Sequence, residues 1–491
     1  MTSSLPEPPV IVLFRRDLRI ADNGALAAAA NTGRPVLPLF ILDEESHGER
    51  RLGAASKWWL HCSLDSFRTR VAKLGADLHL AQGSGNAIVD KAIRASGADT
   101  IFWNRRYDPA GIAADRALKR DLRGQGLRVE SFDGALLHEP SQVKTGSGGF
   151  YKVFTPFWRR LRSFSELRDP VSAPASLRGW SGAFKSVDLE ALDLFPRGPD
   201  WSAGLAQSWM PGEEGARRRL ETFLLTALDH YRQGRDLPGK DATSRLSPHL
   251  AFGEITPYQI LAALNPLRLF SAHSAGLETF ERELLWREFC YHLLFHNPEL
   301  HRRNFRPDFD RFEWRHDAHA MRAWQRGLTG YPIVDGGMRE LWRTGWMHNR
   351  VRMIVASFLI KDLGIDWREG EAWFWDTLVD ADAANNPANW QWVTGSGADA
   401  APYFRVFNPV LQGEKFDPQG DYVRRNVPEL ASLPDSYIHS PWKAPEKVLE
   451  QAHVKLGETY PRPVVDHARA RKSALGAYKK WLHGNKKHGA P

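Results

Sequence analysis

Apolar residues in this chain follow two regimes. Up to Phe132 they come in short continuous runs: PVIVLF (9–14), PVLPLFI (35–41), ADLHLA (76–81), DTIFWN (99–104) and LRVESF (127–132). Between the runs, at 21–31, 56–74, 85–96 and 110–124, apolar positions recur at helical spacing. Strand and helix in alternation predict a doubly wound parallel-sheet α/β domain, Rossmann-like in plan, over residues 1–134. From Glu213 onward helical spacing takes over, at 213–232, 256–264, 278–295, 318–327, 336–343, 346–362 and 368–379, so an all-α domain is expected over 211–491. Residues 135–210 are punctuated by Pro140, Gly146, Gly148, Gly149, Pro170, Pro174, Pro196 and Pro199, with helical pattern only at 154–164. That length is too great for a loop inside one compact domain and is expected to be an inter-domain linker.

Within the first domain no G-x-G-x-x-G follows the first strand; FRRDLRIADN (14–23) stands there instead, so a dinucleotide fingerprint is missing. A doubly wound sheet binds ligands at the carboxyl ends of its strands. Asp43, Glu44, Glu45, Asn104, Arg105 and Arg106 follow two such ends and are expected as solvated loop charges.

Composition narrows the partners. A net charge of +8 over 491 residues suits an acidic partner, nucleic acid first. Cys62 and Cys290 are too few for a disulfide framework and lack metal-ligand spacing. Residues 1–9 lack the basic start of a signal peptide, and no apolar run reaches the length of a membrane span. A cytoplasmic, reducing setting is expected. Of 19 tryptophans, 10 lie between Trp286 and Trp392, a bunching that suits a flat ligand, base stacking or electron hopping as well as core packing.

Four stretches carry candidate chemistry. Residues 380–404, DADAANNPANWQWVTGSGADAAPYF, look like a polar loop: Asp380, Asp382 and Asn386 offer hydrogen-bonding groups, and Trp390 and Trp392 offer stacking faces. In TSRLSPHLAFGEI (243–255), preceded by Tyr231, the group Thr243, Ser244, Arg245, Leu246 and Ser247 stands before a helix start, where hydroxyls and backbone N–H groups suit a phosphate or a simple cap. On a helix through 280–295, Glu283, Trp286 and Arg287 share one face, either as an i,i+4 ion pair or as the wall of a cavity. On a helix through 346–362, Met347, Val351, Ile354, Val355 and Phe358 form an apolar stripe, while Asn349 and Met353 lie one turn apart on the other face, flanked by Arg350 and Arg352. Residues 301–353 also hold 11 Arg, no Lys and 6 acids, with Trp314, Trp324, Trp342 and Trp346 interleaved, the pattern of a nucleic-acid surface or of a solvated basic face.

Taken together, FRRDLRIADN, TSRLSPHLAFG, LLWREFCYHLLFHNPEL, TGYPIVDGGMREL, WMHNRVRMIVASFLIKDLGIDWREGE and DADAANNPANWQWVTGSGADAAPYFRVFNP resemble the photolyase/cryptochrome family from end to end. FNPVLQGEKFDPQGDYVRR and YPRPVVDHARAR are most similar to bacterial cyclobutane pyrimidine dimer photolyases of the class III branch, near plant cryptochromes. The resemblance implies that the helical domain binds FAD and the α/β domain shelters an antenna, usually methenyltetrahydrofolate in that branch. It further implies a monomeric lyase that uses light and reduced FAD to split a thymine dimer flipped out of UV-damaged DNA. Carried over by motif, Tyr231, Thr243, Ser244, Arg245, Leu246, Ser247, Arg287, Asn349, Arg352, Asp380, Asp382 and Asn386 would hold FAD, with Asn386 facing flavin N5 and Arg352 paired with Asp380. Glu283, Trp286, Asn349, Arg350, Met353 and Trp392 would bind the dimer. Trp390, Trp367 and Trp314 would form the tryptophan chain that reduces oxidised flavin, and Trp342 and Trp373 lie near it. A (6-4) photolyase would carry two histidines where this chain has Asn349 and Met353. A cryptochrome photoreceptor, the alternative reading, commonly lacks the asparagine found here as Asn386 and often extends further at its C-terminus.

Overall fold

The structure is a computed structural model that describes residues 7–44, 48, 50–164, 167–196, 198–269, 274–399 and 404–487. Residues 1–6, Glu45, the Ala400–Tyr403 portion of the 380–404 stretch and the last four residues lie outside the described residues. The chain forms two compact units, Met1–Phe150 with Trp158–Leu225 and Ser244–Pro298, and Tyr151–Phe157 with Thr226–Thr243 and Glu299–Pro491. This grouping differs from a division along the chain at 134 and 210.

In the first unit the apolar runs become five parallel strands, β1 (Val10–Phe14), β2 (Val36–Leu42), β3 (His79–Gln82), β4 (Thr100–Asn104) and β5 (Arg128–Phe132), in the order β3-β2-β1-β4-β5. β1, β2 and β4 are buried along their whole length, because helices cover both faces; this is why they read as continuous rather than alternating apolar runs. The order of the strands reverses between β1 and β4. At that point Arg15 donates to the Asn104 carbonyl (3.1 Å) and to Asp115 (2.8 Å), and Asn104 donates to Asp17 (2.8 Å). Arg105 pairs with Glu139 and Arg106 with Asp115. The expectation that Asn104, Arg105 and Arg106 are merely solvated is therefore corrected: they are interlocked across the crevice.

The connector also differs from a free linker. β3 is an edge strand, and an unpaired edge invites aggregation. Leu80 on that edge donates to Ser186 (2.8 Å) and accepts from Val187 (2.9 Å), while at the start of β2 Val36 donates to the Arg178 carbonyl (2.7 Å) and accepts from the Trp180 amide (2.9 Å). Three helices expected in the C-terminal domain, Ser247–Ala251, Pro257–Leu264 and Ser274–His296, belong to the first unit. Buried polar contacts tie them there. Arg19 donates to the Gly253 carbonyl (3.0 Å), Trp59 Nε1 to Glu254 (2.9 Å), Thr256 to Asp22 (2.5 Å), and Glu288 accepts from the Leu137 (3.0 Å) and His138 (3.3 Å) amides.

The second unit is helical. Its core gathers Trp324, Val334, Met338, Met347, Val351, Val355, Leu359, Trp367 and Tyr422. Pro332–Thr344 ends at Gly345 in the left-handed conformation (φ +65°), and Asn349–Ser357 continues through a π-turn at Phe358–Asp362. The stretch expected as a polar loop contains a helix, Asn385–Thr394. Its loop-like residues are the furniture of a helix start. Asp382 accepts from the Ala384 and Asn385 amides (2.9 and 2.7 Å) and from the Asn385 side chain (2.8 Å), Pro387 sits in the first turn, and Gly395 (φ +94°) closes the end. Among the described residues no helix is long and apolar enough to cross a membrane, and no cluster of His, Cys, Asp and Glu could hold a metal ion.

Candidate functional site

The second unit contains most of the residues singled out in the sequence. The predicted stripe Met347, Val351, Ile354, Val355 and Phe358 is buried. That fixes the rotation of the helix and turns Asn349 (exposed) and Met353 (half-buried) the other way. His348 caps the helix by accepting from the Arg350 amide (3.2 Å). Arg350 is held by Asp236 (2.9 Å) and lies over Phe416, 4.3 Å from the ring centroid. Arg352 donates through Nε to the Met347 carbonyl (2.7 Å) and through Nη2 to Asp380 Oδ2 (2.8 Å).

Asp380 is only 8% exposed, and its second oxygen, Oδ1, is buried without a hydrogen-bond partner among the described residues. A buried carboxylate oxygen is costly unless a donor meets it, so it calls for a ligand N–H or O–H. Asn386, also buried, donates its amide nitrogen to the Glu371 carboxylate (2.8 Å) and main-chain carbonyl (3.2 Å). Two acceptors on the nitrogen orient the amide and leave its oxygen as the end presented to a ligand.

The tryptophans sort by burial. Trp390 is buried against Phe374 (5.0 Å between centroids) and Trp324 (6.3 Å). Gly370 makes room for it: a Cβ there would come within 2.2 Å of the Trp390 ring. Trp367, on the same helix as Gly370, is fully buried and donates to Asn304 (3.0 Å). Trp314 is half-buried, 4.5 Å from Phe312. Trp342, 58% exposed, stacks on Trp373 at 6.1 Å and 7°. Trp392 is half-buried, and Tyr231 is buried with Arg235 at 5.7 Å from its ring. The 301–353 stretch is not one open basic face. Trp324 is fully buried with Nε1 on the Val355 carbonyl, and Arg339, Arg343, Arg350 and Arg352 are tied to Glu429, Asn426, Asp236 and Asp380.

Thr243 belongs to the second unit and Ser244 to Ser247 to the first. Arg245 adopts a left-handed conformation (φ +49°), turning the chain into the short helix Ser247–Ala251; Leu246 is buried and Ser247 exposed. On Ser274–His296, Glu283, Trp286 and Arg287 share one half-buried face as expected. Arg287 donates to the Ala135 carbonyl (2.8 Å) and lies over Tyr291 (4.9 Å). A cavity of about 640 Å³ opens on the opposite face of this helix, at Glu278, Glu281, Leu284 and Leu285, and is therefore distinct from the face carrying Glu283. Beside Arg287, burial pushes the Glu288 carboxyl up to about 7, opposed by the Arg287 charge 3.6 Å away.

Sequence reasoning missed Glu288 and Glu371. Both are acids inside helices, where a local window reads them as surface charges. For Glu288 the signal available was its neighbours Trp286 and Arg287; Glu371 had none, since Glu369 two residues before it on the same helix is an exposed acid.

A family model described as DNA photolyase matches residues 10–175, and one described as the FAD binding domain of DNA photolyase matches 280–480. A deoxyribodipyrimidine photo-lyase of Agrobacterium fabrum is 56% identical over 475 residues, covering 97% of this chain and 98% of that protein. Cryptochrome-1 of Arabidopsis thaliana is 39% identical over 474 residues, covering 94% of this chain and 69% of that one. The crystal structure of a bacterial class III photolyase from Agrobacterium tumefaciens matches with a TM-score of 0.95 at 54% identity, covering 98% of this chain and 99% of that one. The chain belongs to the DNA photolyase/cryptochrome family.

Proposed function

We propose that the chain is a light-driven DNA repair lyase, a deoxyribodipyrimidine photo-lyase that splits cyclobutane pyrimidine dimers. One observation carries this reading: 56% identity to a deoxyribodipyrimidine photo-lyase over nearly the full length of both chains. The site fits FAD. Asp380 Oδ1 is a buried acceptor lacking a donor, and the Asn386 oxygen is a second acceptor held in place from behind by Glu371. A reduced flavin ring carries N–H groups for both. When bound, FAD supplies the light-absorbing group and the electron that the repair requires.

The chain's own residues do the rest. Arg352 holds Asp380 through Oδ2 and so orients the carboxylate, leaving Oδ1 as an acceptor before any ligand arrives. Thr243, Ser244, Arg245, Leu246, Ser247, Tyr231, Arg287, Asn349 and Asp382 complete the cofactor set. Trp390, Trp367 and Trp314, in that order from inside to surface, refill the cofactor with electrons. Glu283 hydrogen-bonds a pyrimidine carbonyl and favours it most as negative charge builds there. Trp286 and Trp392 pack against the flipped bases, and Asn349, Arg350 and Met353 complete the dimer site. Asn349 and Met353, in place of two histidines, favour cyclobutane dimers over (6-4) products. The protein acts as a cytoplasmic monomer with methenyltetrahydrofolate as antenna, a companion expected from its class III resemblance.

The test is direct. Chemically reduced, FAD-loaded protein is illuminated with UV-irradiated oligonucleotides, and dimer loss is followed by chromatography. Repair of cyclobutane dimers but not (6-4) products is expected. Stable FAD binding without any repair would instead favour a blue-light photoreceptor, the reading that similarity to cryptochrome-1 supports.

A further inference from the structure

The C-terminal helix, His467–Lys487, reads HARARKSALGAYKKWLHGNKK. It contains seven Lys and Arg residues and no acid. Those seven charges are all but one of the chain's net +8. The electrostatic excess that first suggested an acidic partner is thus concentrated on one 21-residue element.

Its inner face is committed to the core. Ala470 and Trp481 are buried, Trp481 Nε1 donates to the Asp308 carbonyl (3.0 Å), and its ring lies 4.2 Å from Phe309. Tyr478 stacks on Phe404 at 4.8 Å, and His467 is hydrogen-bonded to Asp362 (2.6 Å). On the outer side Arg469, Arg471, Lys472, Lys479 and Lys480 are exposed. Among the described residues, Lys480 alone of these five is paired with an acid, the exposed Glu313. The arginines of 301–353 show the contrast, since several of them are already spent on protein acceptors.

We propose that this outer face is a second contact surface for duplex DNA, one that tracks phosphates irrespective of damage. The proposal rests on the reading that the chain acts on DNA. Lys472 and Lys479 are two helical turns apart, about 10.5 Å along the axis. The helix is already docked, so ordering it costs nothing on binding. An anionic membrane is the poorer fit, because a basic interfacial helix needs an apolar face to insert, and here that face is buried against Phe309 and Phe404.

The experiment compares the full-length FAD-loaded protein with a variant carrying Arg469→Gln, Arg471→Gln, Lys472→Gln and Lys479→Gln. Binding to undamaged duplex DNA is measured between about 50 and 200 mM salt, the range over which phosphate binding responds most visibly. Light repair of a thymine dimer in a short single-stranded oligonucleotide is followed alongside. The variant should bind undamaged duplex at least about tenfold more weakly, and its slope of log affinity against log salt should be shallower by about 0.9 for each phosphate it no longer neutralises. Repair at saturating oligonucleotide should be unchanged. A second variant, Arg469→Lys with Arg471→Lys, should keep the parental slope. An unchanged slope in the glutamine variant, with the parent still repairing dimers, overturns the proposal and leaves the functional reading standing. A parent that neither binds nor repairs DNA removes both.

Discussion

Asp380→Asn tests the acceptor on which the proposed cofactor site depends. The aspartate gives Oδ2 to Arg352 at 2.8 Å and keeps Oδ1 buried with no protein partner among the described residues. Asparagine preserves the outline. With its oxygen on Arg352, however, it places an NH₂ group where the second acceptor was, donor against donor. A hydrogen bond to a charged group contributes about 1.5–3 kcal/mol. FAD affinity should therefore fall by about 10- to 150-fold. The ion pair weakens as well. Stranding one charge of a buried pair costs about 3–5 kcal/mol, but the Arg352 side chain is 24% exposed and keeps its bond to the Met347 carbonyl, so the loss should lie below that range. Flavin fluorescence titration of the stripped protein gives the Kd, and urea unfolding of the same protein without FAD separates folding from binding. A variant that holds FAD as tightly as the parent would refute the assignment of Oδ1 as a ligand acceptor.

Three further outcomes follow from named residues. Trp390→Phe should abolish photoreduction of oxidised flavin, read as bleaching under blue light, while repair by pre-reduced protein persists; bleaching at the parental rate would reject Trp390 as a donor. The same change beside Gly370 and Phe374 should cost about 1–3 kcal/mol of stability as a large-to-small substitution. Glu283→Gln should lower repair per absorbed photon yet leave dark binding of damaged DNA near the parental value, since the carboxyl acts most on the developing charge; equal repair yields count against it. Glu288 has a folded pKa of about 7, above the ordinary 4.5, so its contribution to stability is full below pH 4.5 and lost as pH rises through 7. Glu288→Gln should therefore match the parent near pH 4.5 and exceed it by up to about 3 kcal/mol at about pH 8 in urea melts. A variant equally destabilised at both pH values would show that the buried charge is not the cost.

What the sequence disclosed and what it hid divide along a physical line. β1, β2 and β4 were legible because a strand buried on both faces must be apolar throughout, a property of each run taken alone. The stripe of Asn349–Ser357 was legible for the same kind of reason, since helical period fixes which side is buried. Residues 380–404 misled because Asp, Asn and Pro serve loops and helix starts alike; only the bonds of Asp382 to the following amides decide between them. The aromatic and basic run at 301–353 misled because Trp324 looks the same in sequence whether it faces DNA or the core.

The proposed cofactor site lies on the hidden side of that line. Arg352 meets Asp380 across 28 residues, and Asn386 meets Glu371 across 15. No window of helical or strand period spans such pairs. The resemblance located Arg352, Asp380 and Asn386, but not Glu371, which binds the Asn386 nitrogen and so decides which end of that amide a ligand meets. A buried acid in that place has a reason only when its partner is seen. The charge that the sequence displayed as a bulk excess likewise acquires meaning only from placement. Arg352 beside Asp380 is spent inside the protein, whereas the basic residues of His467–Lys487 stand on the outer side of a helix whose inner side is already filled. Composition counts both sets equally, and packing makes one a part of the proposed cofactor site and the other an exposed surface.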